Sequence, residues 1–306
     1  MGGLVEMKKR TVKAVVLGCM VLTLLLGLVG CGGSKVEILP LENMVQESDE
    51  KITFTCDGVE RYCLLEFPEQ TEGAPLVLML HGHGESPERM REVSQFEEKA
   101  NELGYGVVYV SGSINAGDPI KAMGWQSGVF SEGNRDVEFL VSLAQYLQTT
   151  YSFDAERTYA AGFSNGAFMT HRLAMDASDT FAAVVSVAGK MPNVVWEARN
   201  EKNAVSVLQI TGEKDDVVAK NSDGSAKYSV DPAIEDVMEY WATSNGLELT
   251  ETVEVGEKGE LTKFDGKKAK VWHLFIKDAR HSWYTEQINK VNINDVILEF
   301  FEEVAK

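Results

Sequence analysis

Positive charge is scarce in this chain. Its 306 residues carry 29 Lys and Arg against 47 Asp and Glu, a formal net charge of −18. Four of those cations (Lys8, Lys9, Arg10 and Lys13) crowd the N-terminus beside one acid, Glu6. Without residues 1–30 the balance is 25 Lys and Arg against 46 Asp and Glu, a net charge of −21. No basic stripe is left to follow a phosphate backbone, which excludes nucleic acid as a partner. An anionic polymer would be repelled too, so neutral or weakly charged substrates fit better. Histidine is also rare, at five residues, which makes a search for a catalytic base by elimination practical. The four cysteines are too few for a disulfide framework. There is no internal repeat and no composition break that would mark a second domain. At 44% hydrophobic and 25% charged residues, the remainder is of ordinary globular composition, and its length suits one domain.

The N-terminus is the exception. Basic residues precede an uncharged apolar run from Ala14 to Val29, and the run ends at Leu28-Val29-Gly30-Cys31. This pattern predicts a secretory signal over 1–30 with a lipobox, cleaved before Cys31, whose thiol would carry the lipid. An uncleaved membrane anchor is the alternative, although sixteen apolar residues are short for a full span. Either reading places the domain outside the cytoplasmic membrane. Residues 31–50, polar and without periodicity, are expected to form a tether, with one catalytic domain over 51–306. Cys19 falls in the signal, which leaves Cys56 and Cys63 as either an exported disulfide or two reduced thiols in neighbouring strands.

Beyond the tether, strand and helix patterns alternate. Residues 51–56 and 61–67 read as antiparallel strands around Asp57-Gly58. The fully apolar 75–80 and 106–110 read as buried central strands. Residues 88–103, 136–148, 234–244 and 291–303 have helical patterns, and 181–187, 204–210 and 270–276 supply further strands. This alternation predicts an α/β fold with a mostly parallel sheet and helices on both faces.

Chemistry enters at Gly162-Phe163-Ser164-Asn165-Gly166, between a strand-like run and the helical Ala167–Ala174. A serine flanked by glycines at −2 and +2 in that setting fits a nucleophile elbow. The turn is so tight that a side chain at either flanking position would collide, and the serine backbone is strained. The base should come from the histidines. His171 is two helical turns past Ser164, and His273 lies within a strand as part of the sheet wall. His281, on a loop beyond the last strand, can reach the elbow. The acid belongs on the loop after 204–210, where Gly212-Glu213-Lys214-Asp215-Asp216 offers three carboxylates. Asp215 has the expected spacing, with Asp216 as the alternative. The order Ser164, Asp215, His281 is that of the α/β-hydrolase fold.

An oxyanion hole would use the backbone N–H of Asn165 and a second amide from His81-Gly82-His83-Gly84, where His83 is the candidate. His81 and His83 could instead chelate a metal, but the glycines suit a turn and no matching carboxylate cluster follows. Neither a metal nor another cofactor is expected.

These motifs resemble the secreted esterase family that includes poly(3-hydroxybutyrate) depolymerases, feruloyl esterases and acetyl-xylan esterases. The similarity runs from about Thr53 to the C-terminus. It is strongest at Asp136–Leu140, Tyr159–Met169 and Phe181–Gly189, with Gly212–Val218 and His281-Ser282-Trp283 resembling the family's acid and base motifs. The resemblance implies ester hydrolysis through an acyl-enzyme on Ser164. Departures are Ala167, Ala219, Arg280 and Tyr284, where the family usually has glycine, proline, glycine and proline. Trp125, Trp283 and Phe163 are expected to line the acyl pocket. A peptidase or broad acyl esterase on this scaffold, or an inactive binding lipoprotein, are the rival readings. Oligomeric state stays open.

Overall fold

Continuous apolar runs set out the central strands of this protein, and alternation marks outer ones such as Lys51–Cys56. The structure, a computed structural model, describes residues 36–114, 120–129, 135–200, 205–218 and 231–305. The expected signal over 1–30 and the lipid site Cys31 lie outside the described residues. The chain opens with β1 (Leu41–Ser48), β2 (Lys51–Cys56), β3 (Val59–Glu66) and β4 (Leu76–Leu80). Helices α1 (Pro87–Ser94) and α2 (Phe96–Glu102) lead to β5 (Gly106–Val110) and the short pair β6 (Ser113–Ile114) and β7 (Met123–Gly124). Then come α3 (Asp136–Tyr151), β8 (Thr158–Phe163), α4 (Asn165–Asp176), β9 (Ala183–Val187), α5 (Asn193–Glu197) and β10 (Ser206–Gly212). The rest is α6 (Ile234–Ser244), β11 (Glu248–Val255), β12 (Gly259–Asp265), β13 (Lys270–Ile276), α7 (Glu286–Asn289) and α8 (Ile293–Val304).

Among the described residues, eleven strands form one sheet in the order β1-β2-β3-β5-β4-β8-β9-β10-β13-β12-β11. The six from β5 to β13 run parallel, and antiparallel strands extend both edges. β4 shows why its sequence is apolar throughout. Leu76, Leu78 and Leu80 face a layer with Leu140 and Leu147 of α3 and Leu173 of α4. Val77 and Met79 face the opposite layer with Phe96 of α2 and Ile297 and Phe301 of α8. A strand covered on both faces has no position for a polar side chain, and each buried aliphatic contributes roughly 1.5–3 kcal/mol. Helices on both faces of a parallel-centred sheet make this the α/β-hydrolase fold.

Two expectations need correction, and one open alternative is decided. Residues 31–50 are not all tether, because Leu41–Ser48 forms β1 and pairs with β2. β1 is an exposed edge whose register shifts twice, so neither burial nor alternation marks it in the sequence. The stretch 88–103 is two helices rather than one. Gln95, at φ +44°, ends α1 and lets Phe96 turn inward, where it is buried. The disulfide is also excluded, since Cys56 pairs with Val59 and Cys63 with Ile52. Four residues along a strand is about 13 Å, twice what a disulfide spans, and both buried thiols are free. β11 and β12, which no expectation covered, extend the far edge, with Leu261 in the core and Val253 and Val255 packed against it. β11 is solvent-exposed along most of its length.

Among the described residues no helix is long and apolar enough to cross a membrane.

Candidate active site

Strand β8 passes into helix α4 through a single residue, Ser164, held at φ +52° and ψ −115°. The flanking glycines are a steric requirement of that turn. A Cβ at Gly162 would lie 2.3 Å from the Gly166 carbonyl, and one at Gly166 would lie 2.2 Å from the Leu80 oxygen. The Ser164 N–H donates to the Val187 carbonyl at 3.0 Å, which fixes the elbow to β9. Ala167, a departure from the family pattern, is accommodated by Gly189, where a Cβ would come within 2.4 Å of the Ala167 methyl.

Three of the expected residues meet at the C-terminal end of neighbouring strands. Nε2 of His281 is 3.0 Å from Ser164 Oγ, and its Nδ1 is 2.8 Å from Asp215 Oδ2. The other Asp215 oxygen accepts from the Val217 and Val218 N–H groups at 2.9 and 2.8 Å. A carboxylate can only accept, so Nδ1 carries the imidazole proton and Nε2 is left to accept from the serine hydroxyl. Asp215 presents 2% of its side chain to solvent, whereas Asp216 presents 72% and lies 3.7 Å from Arg280. Geometry therefore separates the two carboxylates that the sequence left competing. Tyr284, where proline is usual, is buried, and its hydroxyl would sit 2.7 Å from a Cβ at Gly212. Ala219 lies outside the described residues.

On the other side of Ser164 lies the loop after β4. His81 is buried and makes two hydrogen bonds to backbone. Its Nε2 accepts from Gly112 N–H at 2.9 Å, so Nδ1 is protonated and donates to the Gly82 carbonyl at 2.7 Å. With both ring nitrogens engaged, His81 has none free for a metal. Burial pushes its pKa down to about 4. Gly84 turns at φ +75° and donates to the Met123 carbonyl at 2.7 Å. His83 and Asn165 approach each other over Gly124, where a Cβ would be 2.9 Å from Asn165 Oδ1 and 3.4 Å from the His83 ring.

The three aromatics expected to line the acyl pocket are packed inside. Trp125 is 1% exposed, and its indole N–H donates to the His81 carbonyl at 2.9 Å. Trp283 is 5% exposed and donates to Asn294 Oδ1 at 3.0 Å, which ties the His281 loop to α8. Phe163 is 8% exposed, with its ring centred 5.0 Å from that of His281. Burial of the large apolar ring, with the indole N–H satisfied internally, outweighs exposure at a pocket rim. The two remaining histidines are structural. His171 Nε2 contacts Gln209 Oε1 at 2.9 Å inside the core, and His273 Nε2 lies 3.1 Å from Thr211 Oγ1 between β10 and β13.

Sequence reasoning missed the support around this loop. The buried pair Arg61–Asp136 presents the second Asp136 oxygen to the Gln126 N–H at 2.6 Å. Asp136 at the start of α3 reads in sequence as an ordinary acidic first turn, and nothing marks Arg61 as its partner.

Comparison with known proteins agrees with this architecture. The NocK protein of Nocardia uniformis subsp. tsuyamanensis is 34% identical over 153 residues, covering 48% of this chain and 42% of that protein. The bifunctional acetylxylan esterase/xylanase XynS20E of Neocallimastix patriciarum is 26% identical over 145 residues, covering 47% of this chain and 20% of its own length. The matched stretch thus spans less than half of these relatives. Among solved structures, the acetyl xylan esterase from Aspergillus awamori superposes with a TM-score of 0.56 at 16% identity, covering 80% of this chain and 94% of that one. That likeness shows the shared fold. The profile of the family described as esterase PHB depolymerase matches residues 62–240, more than half of the sequence. This chain belongs to the esterase PHB depolymerase family.

Proposed function

We propose that the chain is a serine carboxylesterase working through an acyl-enzyme on Ser164. The observation that carries this reading is the continuous contact from Ser164 Oγ through His281 to Asp215. In this mechanism His281 Nε2 takes the hydroxyl proton as Ser164 Oγ attacks the ester carbonyl carbon. The imidazolium that forms is stabilised by the Asp215 carboxylate, itself held by two backbone N–H groups. The backbone amides of Asn165 and His83 receive the oxyanion. His281 returns the proton to the departing alcohol, and the acyl group remains on Ser164. Water then enters by the same route, and the carboxylic acid leaves.

The excess of acidic residues supports a neutral ester, of the acetyl or feruloyl type on plant polysaccharide or a hydroxybutyrate oligomer. Within that class, short acyl groups are favoured. Trp125, Trp283 and Phe163 are turned inward, so these three offer no open aromatic wall to a planar cinnamoyl group. The basic and apolar leader ending at Cys31 supports secretion and lipid anchoring of the mature chain at the outer face of the cytoplasmic membrane.

The test is hydrolysis of p-nitrophenyl acetate, methyl ferulate and hydroxybutyrate oligomers, with Ser164→Ala as control. The acetyl ester should be turned over fastest, and the control should lose several orders of magnitude in kcat. Undiminished turnover by Ser164→Ala would remove the serine mechanism.

A further inference from the structure

The two proposed oxyanion donors sit on separate segments, the first residue of α4 and the loop after β4. A third segment, from Met123 to Ser127, joins them. We propose that the side chains of Asn165 and Trp125 are positioning residues that set the spacing between the two donor amides. The proposal rests on the esterase reading above.

The connections cross the site from one donor segment to the other. Asn165 Oδ1 accepts from the Trp125 backbone N–H at 2.6 Å, and its Nδ2 donates to Ser127 Oγ at 3.1 Å. The Trp125 indole continues the path by donating to the His81 carbonyl at 2.9 Å. Two residues before the indole, the Met123 carbonyl accepts from Gly84 N–H at 2.7 Å. The His83 backbone lies between these two anchors at His81 and Gly84. Asn165 therefore serves the hole twice, with its own amide as one donor and its side chain as the near end of the tie to the other.

The segment between is itself fixed from outside. Asp136 accepts from Gln126 N–H at 2.6 Å, and Arg172 Nη1 donates to the Gln126 carbonyl at 2.9 Å. Asn165, Trp125, Ser127 and His81 are all buried. In such a dry network a deleted donor leaves its acceptor unsatisfied, and the loop shifts to find another. An oxyanion hole depends on donors within a few tenths of an ångström of the charge that develops, so such a shift lowers turnover while binding of the ester is little changed. Trp125→Phe keeps an aromatic ring in most of that space and leaves the His81 carbonyl without its donor. Alanine at 165 would keep the donor amide and remove only the tie.

The experiment measures kcat and KM for p-nitrophenyl acetate in Trp125→Phe, Asn165→Ala and the double variant. Rates are expressed per active site titrated with a p-nitrophenyl phosphonate. Each single change should lower kcat about tenfold or more with KM within about twofold, a fraction of the loss from deleting a donor outright. Because both act on one path, the double variant should be little worse than the poorer single. Should the tryptophan variant fold poorly, Ser127→Ala is the milder probe, with kcat reduced about threefold. Unchanged kcat per titrated site, a loss confined to KM, or losses that multiply in the double variant would each overturn the proposal. If instead Ser164→Ala hydrolyses the ester as well as the parent, it is the esterase reading that fails, and the positioning role falls with it.

Discussion

Nε2 of His281 lies 3.0 Å from Oγ of Ser164 across 117 positions of sequence, and the serine that makes this contact is in a backbone conformation that favours glycine. Such a residue stores about 1–3 kcal/mol of strain. Ser164→Gly should therefore raise the urea midpoint of unfolding, corresponding to about 1 kcal/mol of added stability after allowance for glycine's greater chain entropy, while abolishing hydrolysis. Ser164→Ala keeps a Cβ in the strained turn and should lose activity without gaining stability. Equal midpoints for the two variants would count against strain at the elbow.

Asp215 and Asp216 are adjacent, but one is sealed beneath His281 and the other faces solvent. Asp215→Asn retains the shape but no longer favours the tautomer with its proton on Nδ1, and kcat should fall about 10⁴-fold. Asp216→Asn should stay within about threefold, since an exposed ion pair contributes little. Steady-state kinetics on p-nitrophenyl acetate decides. Comparable losses in both variants would contradict the geometry.

Stability should fall in mild acid. Burial holds His81 and His171 neutral, with each pKa pushed down to about 4 against an unperturbed value near 6.5. Between those values the unfolded chain binds more protons than the folded one, so stability rises with pH across that interval. The contribution is fully present above about pH 6.5 and is lost as pH falls toward 4, roughly 3 kcal/mol for each histidine. Urea unfolding at pH 7.5, 5.5 and 4.5 should show this slope, and His171→Gln should flatten it. A variant as acid-sensitive as the parent would show that His171 is not a source.

The Arg61–Asp136 pair is buried on both sides. Asp136→Ala strands a guanidinium in the interior and should cost about 3–5 kcal/mol in urea unfolding. Arg61→Met combined with Asp136→Ala should recover part of that loss, because no uncompensated charge remains. Additive penalties in the double variant would argue that the pair acts through something other than charge.

Much of this could be read in order along the chain. The apolar runs at 75–80 and 106–110 are β4 and β5, because burial on both faces excludes polar side chains. The elbow was legible because its glycines answer a collision that any side chain would cause. What failed has physical reasons too. β1 and β11 lie at the edges and are exposed along most of their length, which leaves only a weak hydrophobic pattern to read. The break at Gln95 involves neither glycine nor proline. Trp125 and Trp283 stand near the motifs in sequence, but spacing does not tell whether an indole faces a pocket or a carbonyl.

Local sterics and the pattern of burial along the chain are enough to put Ser164 in a strand-to-helix turn and the domain on a parallel-centred sheet. Which carboxylate reaches His281, the separation of Cys56 and Cys63, and the hydrogen-bonded path through Asn165, Trp125 and His81 are settled by long-range packing. Those outcomes depend on strand register and loop direction, which are set by contacts between residues far apart in the chain.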